Sequence, residues 1–115
     1  MANERYVVRR PTDVREERST CGFRRRLLKA DEFPDLSISL LNLHNAKLHH
    51  HNRTTEFYYV IEGKGQLELD GERVDVEPGV LVRINPPTRH RALGDFTALI
   101  LCSPAWIPED NVVDE

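Results

Sequence analysis

Cysteine is scarce in this chain. Cys21 and Cys102 are two thiols in 115 residues, too few to read as the disulfide framework of a small secreted domain. Long apolar runs are missing as well. No stretch approaches the roughly 20 apolar residues that a membrane-crossing helix requires. The opening residues Met1-Ala2-Asn3-Glu4-Arg5 lack the apolar segment of a secretory signal. These absences lead to the expectation of a cytoplasmic protein with reduced thiols and no membrane partner. An excess of one charge is also lacking. Sixteen basic residues face nineteen acidic ones, which gives no general case for nucleic-acid binding. The basic residues are unevenly spread, however. Eight arginines fall within residues 1–26, which suits either a solvated surface or subunit contact, or an anion-binding patch.

A chain of 115 residues accommodates one domain with one core. We therefore expect a single domain over residues 1–115. Its first 20 residues form an N-terminal arm, because the polar stretch Pro11 to Ser19 shows little periodicity. After the arm, short β patterns follow one another closely. Gly22 to Leu28 is a candidate strand. Asp35 to Leu43 is next, with Leu36, Ile38 and Leu40 alternating against Asp35, Ser37 and Ser39 in the manner of a half-buried strand. Ala46 to His51, Glu56 to Ile61, Gln66 to Leu69, the Val74–Val76 segment, Val80 to Ile84, Arg89 to Leu93 and Phe96 to Cys102 complete the series. Asp70-Gly71 is a hairpin turn signal. Pro108-Glu109-Asp110 suits a short helical turn. So many short strands, separated by glycine and proline, predict an all-β sandwich or barrel.

Against this background four residues stand out. His49 and His51 are two positions apart, so on a strand both imidazoles point to one face. Glu56 begins the next apolar run after the polar stretch Asn52-Arg53-Thr54-Thr55. His90 follows the Pro86-Pro87 turn. Three imidazoles and one carboxylate make a ligand set suited to one divalent transition metal, whether Zn, Mn, Fe, Ni or Cu. The competing reading is a group of surface histidines on a polar hairpin. A closed structural zinc site typically has four protein ligands and favours thiolates, and no cysteine lies near these positions in sequence. An open coordination position at a barrel mouth would suit a small-molecule ligand.

Other residues have roles that depend on which way their strands face. His50 has the opposite parity and should point outward. His44 is a candidate for the pocket wall, against the commoner reading of a packed or surface histidine. Tyr58 shares the parity of Glu56 and is a candidate catalytic residue that orients a substrate or supplies a proton, against a plain core role. Arg24, Arg26 and Arg91 are candidates to meet an anionic substrate if their strands face the mouth, against the better single reading of each as a solvent-exposed charge. Phe57, Tyr59 and Ile61 then face outward and need a cover, either the N-terminal segment or a second subunit in a homodimer.

These residues resemble the cupin family. Its first motif, His-x-His, three or four residues, Glu, six residues, Gly, matches His49-His50-His51, Glu56 and Gly63. Its second motif matches Gly71, Pro78-Gly79 and Ile84-Asn85-Pro86-Pro87-Thr88-Arg89-His90. The resemblance covers residues 36–102. Leu43 stands where a glycine usually opens the first motif, Val80 where an aspartate is common, and Gly94 where an asparagine often closes the second. The resemblance implies a double-stranded β-helix, or jelly-roll barrel, often dimeric. It implies His49, His51, Glu56 and His90 as the metal ligands. It also implies a metal-dependent dioxygenase, isomerase or decarboxylase, with a non-catalytic binding module as the alternative. The ending Cys102 to Asp110 is similar to the tail of small cupins described as sugar-phosphate isomerase-like.

Overall fold

The computed structural model describes residues 5–115. After a 3-10 turn at Pro11–Asp13 come eleven strands. In chain order they are β1 (Glu16–Ser19), β2 (Gly22–Leu28), β3 (Ser37–Leu43), β4 (His49–His50), β5 (Thr55–Gly63), β6 (Gly65–Leu69), β7 (Glu72–Val76), β8 (Leu81–Ile84), β9 (His90–Leu93), β10 (Phe96–Ser103) and β11 (Val112–Val113). A second 3-10 turn, Pro108–Asp110, precedes β11, as the sequence suggested. The strands form two antiparallel sheets that face each other as a jelly roll. One has the order β1-β2-β3-β10-β5-β8 and the other β11-β4-β9-β6-β7. Among the described residues no helix is long and apolar enough to cross a membrane.

Local chemistry explains the punctuation. The β6–β7 hairpin turns at Asp70 and Gly71, both with positive φ (48° and 87°), which glycine adopts freely and aspartate tolerates. Two elements differ from the sequence reading. Within the polar stretch Pro11–Ser19, expected to be irregular, Glu16–Ser19 pairs with Gly22–Arg25 as an edge hairpin. A hairpin closed by so short a turn needs little hydrophobic periodicity to form. The strand expected from Ala46 is reduced to His49–His50, and His51 lies just beyond it.

The larger correction concerns β3. Its alternation is real, but the inward face is the other one. Ser37, Leu41 and Leu43 are buried, whereas Ile38 and Leu40 face outward. An alternating pattern marks two faces without saying which is interior when both carry leucines.

The register stacks the interior in layers. Leu43 lies opposite Phe96, and Leu41 opposite Ala98, which faces Val60. Next come Ser39, Ile100 and Tyr58, and finally Ser37, Cys102 and Glu56. With Leu67, Val76 and Ala92 from the second sheet, the first layers fill one end of the barrel as a dry core. Burying a side chain such as Leu43 or Val60 contributes about 1.5–3 kcal/mol. Toward the other end the layers become polar, and the barrel opens there.

Candidate metal centre

Three imidazoles come from one sheet and the carboxylate from the other. His49 on β4 lies directly opposite His90 on β9. His51 follows β4 with the same parity as His49. Glu56 enters from β5, between Ile84 and Cys102 on the flanking strands. All four side chains are buried, and one ligand atom from each lies within 4.8 Å of those of the other three. The structure therefore brings together all four residues that the spacing singled out.

The hydrogen bonds orient each ring. Nδ1–H of His49 donates to the Lys47 carbonyl at 2.9 Å, that of His51 to the Asp110 carbonyl at 3.0 Å, and that of His90 to the Thr88 carbonyl at 2.8 Å. A carbonyl only accepts, so Nδ1 carries the proton on every ring and each Nε2 turns toward the centre. There Glu56 Oε1 lies 2.8 Å from His90 Nε2 and 3.4 Å from His51 Nε2. His51 Nε2 is buried and has no hydrogen-bond partner. Lone pairs of neutral imidazoles and a carboxylate oxygen repel one another at such distances. A proton or a metal cation must lie among them.

The electrostatics fit this picture. Burial pushes His49 down to about 4, and neighbouring His90 adds to the effect. Burial would also lower His51, but the Glu56 carboxylate outweighs it and the net shift is upward. Burial would raise Glu56, yet the His51 and His90 contacts hold it far below the usual carboxylate range. The carboxylate is thus ionised and His49 neutral near pH 7, the protonation states that ligation requires.

The neighbours are positioned in turn. The Asp110 carboxylate accepts from the backbone N–H groups of Asn52, Arg53 and Thr54 at 2.9–3.2 Å. It therefore gathers the loop joining His51 to Glu56, while its own carbonyl fixes His51. Cys21 Sγ lies 3.7 Å from His49 Nε2, and the Cys102 thiol lies 3.6 Å from Glu56 Oε2.

The cluster opens into a cavity of about 70 Å³. Beyond His49, His51 and Glu56, its wall includes Arg24, Arg26, Ser37, Ser39, Cys21 and Trp106. Arg24 and Arg26 are thus on the wall, as the sequence allowed. Arg91 is not, since it pairs with Glu68 and Glu115 on the other sheet. His44 is not on the wall either. It lies at the opposite end of the barrel, paired with Asp95 at 2.9 Å. His50 points away and bonds Asp114 at 2.8 Å. Tyr58 is fully buried and does not line the cavity. Its ring stands edge-on to His90 at 6.2 Å, and its hydroxyl has no partner. The sequence did not point to Cys21, Trp106 or Asp110. Cys21 and Trp106 lie outside periodic segments, and Asp110 acts largely through backbone groups.

The two sheets and the ligand spacing correspond to known proteins. Residues 43–103 match the family model of the cupin domain. An uncharacterised protein, MJ1618 of Methanocaldococcus jannaschii, is 36% identical over 72 residues, which span 59% of this chain and 58% of that protein. A protein from Planctomyces limnophilus superposes with a TM-score of 0.85 at 23% identity, over 96% of this chain and 97% of its own. Pac13, described as a nucleoside dehydratase, superposes with a TM-score of 0.85 at 17% identity, over 96% and 92%. With its jelly roll, its motif spacing and more than half of its length matched, the chain belongs to the cupin family.

Proposed function

We propose that His49, His51, Glu56 and His90 hold one divalent first-row metal, and that the protein is a metal-dependent enzyme acting on a small polar or anionic molecule. The observation that carries this reading is the buried His51 Nε2, which lacks a partner and faces a carboxylate beside a cavity walled by arginines. A bound metal would supply Lewis acidity toward a substrate oxygen or a bound water. The chain's own groups then orient the ligand. Arg24 and Arg26 attract negative charge, and the hydroxyls of Ser37 and Ser39 offer hydrogen bonds. Tyr58 belongs to this reading as a neutral hydroxyl beside the cluster, since burial holds it well above its usual range. If Tyr58 serves the chemistry, Tyr58→Phe lowers turnover with metal content unchanged. If it only packs, turnover survives.

Metal analysis of protein purified without added metal, followed by substrate screens, tests the proposal. Oxygen uptake by the iron form over catechols, diketones and flavonols reports a dioxygenase. Turnover of sugar phosphates or oxalate by the manganese and zinc forms reports an isomerase or decarboxylase. A specific observation favours a second reading, a non-catalytic binding module. Burial pushes the wall thiol of Cys21 up to about 12 and that of Cys102 higher still, so neither is a ready base at neutral pH. Metal-dependent ligand binding without turnover would select that reading.

We also propose a homodimer through the outer face of the six-stranded sheet. Leu40, Leu99, Tyr59 and Leu81 form one in-register row across β3, β10, β5 and β8. Tyr59, Ile61 and Leu81 are exposed in the single chain, and contiguous apolar faces of this kind mark interfaces. Light scattering should give twice the chain mass, and Leu81→Asp should lower it. A monomer across the micromolar range contradicts the proposal. Reduced, buried cysteines are in keeping with a cytoplasmic location, which this reading includes.

A further inference from the structure

The wall of the cavity carries more positive than negative charge. Arg24, Arg26 and Lys29 line it, against Glu56, and a divalent ion on the cluster would add to the excess. Arg24 and Arg26 share a face of β2 and pair with Leu41 and Ser39 of β3, so both project inward. Their guanidinium groups converge on one carboxylate, that of Glu17. Glu17 Oε1 accepts from Arg26 Nε at 2.9 Å and from Arg24 Nε at 3.2 Å, and Glu17 Oε2 accepts from Arg26 Nη2 at 3.4 Å. Side by side, Nε and Nη2 of Arg26 meet the two oxygens of one planar group, the fork geometry that suits carboxylates.

Glu17 is weakly held by everything else. It sits on β1, an edge strand bonded to β2 alone, and its side chain is about a third exposed. Burial would raise its carboxyl, but Arg26 and Arg24 outweigh that and keep it below its usual range. The arginines are the firmer partners. The Arg24 guanidinium lies 4.6 Å above the Trp106 ring, a cation–π contact independent of Glu17. The Thr20–Cys21 turn joins β1 to β2 and also borders the cavity.

We infer that Arg24 and Arg26 form a seat for a ligand carboxylate in the metal cavity, and that Glu17 fills this seat until the ligand displaces it. The inference rests on the reading of this cavity as a small-molecule site. It narrows the substrate class to small carboxylic acids. It also assigns Glu17 a part that the metal cluster does not explain, that of an internal competitor. A seat left free about a tenth of the time weakens apparent affinity about tenfold, so Glu17→Gln should tighten carboxylate binding by about that factor.

The test is a titration followed by NMR of the arginine Nε–H signals, using acetate, glycolate, oxalate, inorganic phosphate and neutral ethylene glycol. Wild type, Glu17→Gln, Arg26→Gln and the milder Arg26→Lys are compared, each metal-free and zinc-loaded. The expected result is that acetate shifts the Arg24 and Arg26 signals with or without zinc, binds Glu17→Gln about tenfold tighter, and is lost in Arg26→Gln. Ethylene glycol should shift neither. Unchanged or weaker acetate binding in Glu17→Gln overturns the inference, because the triad is then a structural ion pair. Preference for phosphate over every carboxylate overturns the assigned class. Silent arginine signals with all probes overturn the seat itself. Acetate needs no metal, so failure of the metal proposal would show separately, as glycolate and oxalate gaining nothing from zinc.

Discussion

The barrel carries the same pair of groups at its two ends. At one end His90 lies 2.8 Å from Glu56, and at the other His44 lies 2.9 Å from Asp95. By distance the pairs are equivalent. Their surroundings are opposite, with side-chain exposures of 1% and 7% in the first pair and 46% and 74% in the second. Water screens the exposed pair and solvates each partner if the other leaves, so its net contribution is small. The buried pair has no such relief. Its groups need a cation among them and suffer when a partner is removed. Burial, rather than the presence of a histidine beside a carboxylate, sets the cluster compatible with a metal apart from the surface pair.

The largest effect should come from breaking the buried end. His90→Ala or Glu56→Gln is expected to abolish stoichiometric metal binding, measured by elemental analysis after dialysis against trace metal. The next effect comes from a residue that touches no metal. Asp110→Ala removes the acceptor for three backbone N–H groups and loosens the loop between His51 and Glu56. Metal affinity should fall about 10- to 100-fold, the usual cost of losing an outer-shell support. Stability should fall by at least about 2 kcal/mol in denaturant titration, given the amides left unpaired. Asp110→Asn, which keeps one acceptor oxygen, should recover part of both.

A smaller effect has a defined sign. Against the effect of burial, Glu56 holds His51 above its usual pKa in the metal-free protein, so protons compete with a metal for His51. Glu56 and His49 sit below neutral pH and have none to give up. Metal titration near pH 7 in weak buffer should therefore release protons, and affinity should weaken as pH falls. Zinc binding without proton release in wild type would contradict the upward shift of His51. The smallest effect belongs to the exposed end. His44→Ala should leave metal content unchanged and shift stability by no more than about 0.5 kcal/mol.

Much of this was legible in the residues themselves. The strand positions follow from β-rich runs between glycine and proline, and β2, β5 and β10 lie almost where those runs placed them. The ligand quartet was legible because strand parity puts His49 and His51 on one side even where the strand is only two residues long. What alternation could not supply was orientation. In β3 the apolar row Ile38–Leu40 faces outward and the serines face the cavity, because a second apolar row, Leu41–Leu43, fills the core. Arg91 points outward because its parity is opposite to that of buried His90, whereas parity alone could not show that His44 lies at the other end of the barrel. Asp110 acts on partners 56 to 59 positions away in sequence, so no local pattern announces it, and Glu17 meets Arg24 and Arg26 only because β1 and β2 fold into a hairpin.

The most direct test is a zinc titration by calorimetry of metal-free wild type beside His44→Ala and His90→Ala. Wild type and His44→Ala should each take up about one zinc per chain with the same affinity, while His90→Ala takes up none. Absence of stoichiometric uptake by wild type, or equal uptake by His90→Ala, would contradict the assignment of the buried cluster as a metal centre.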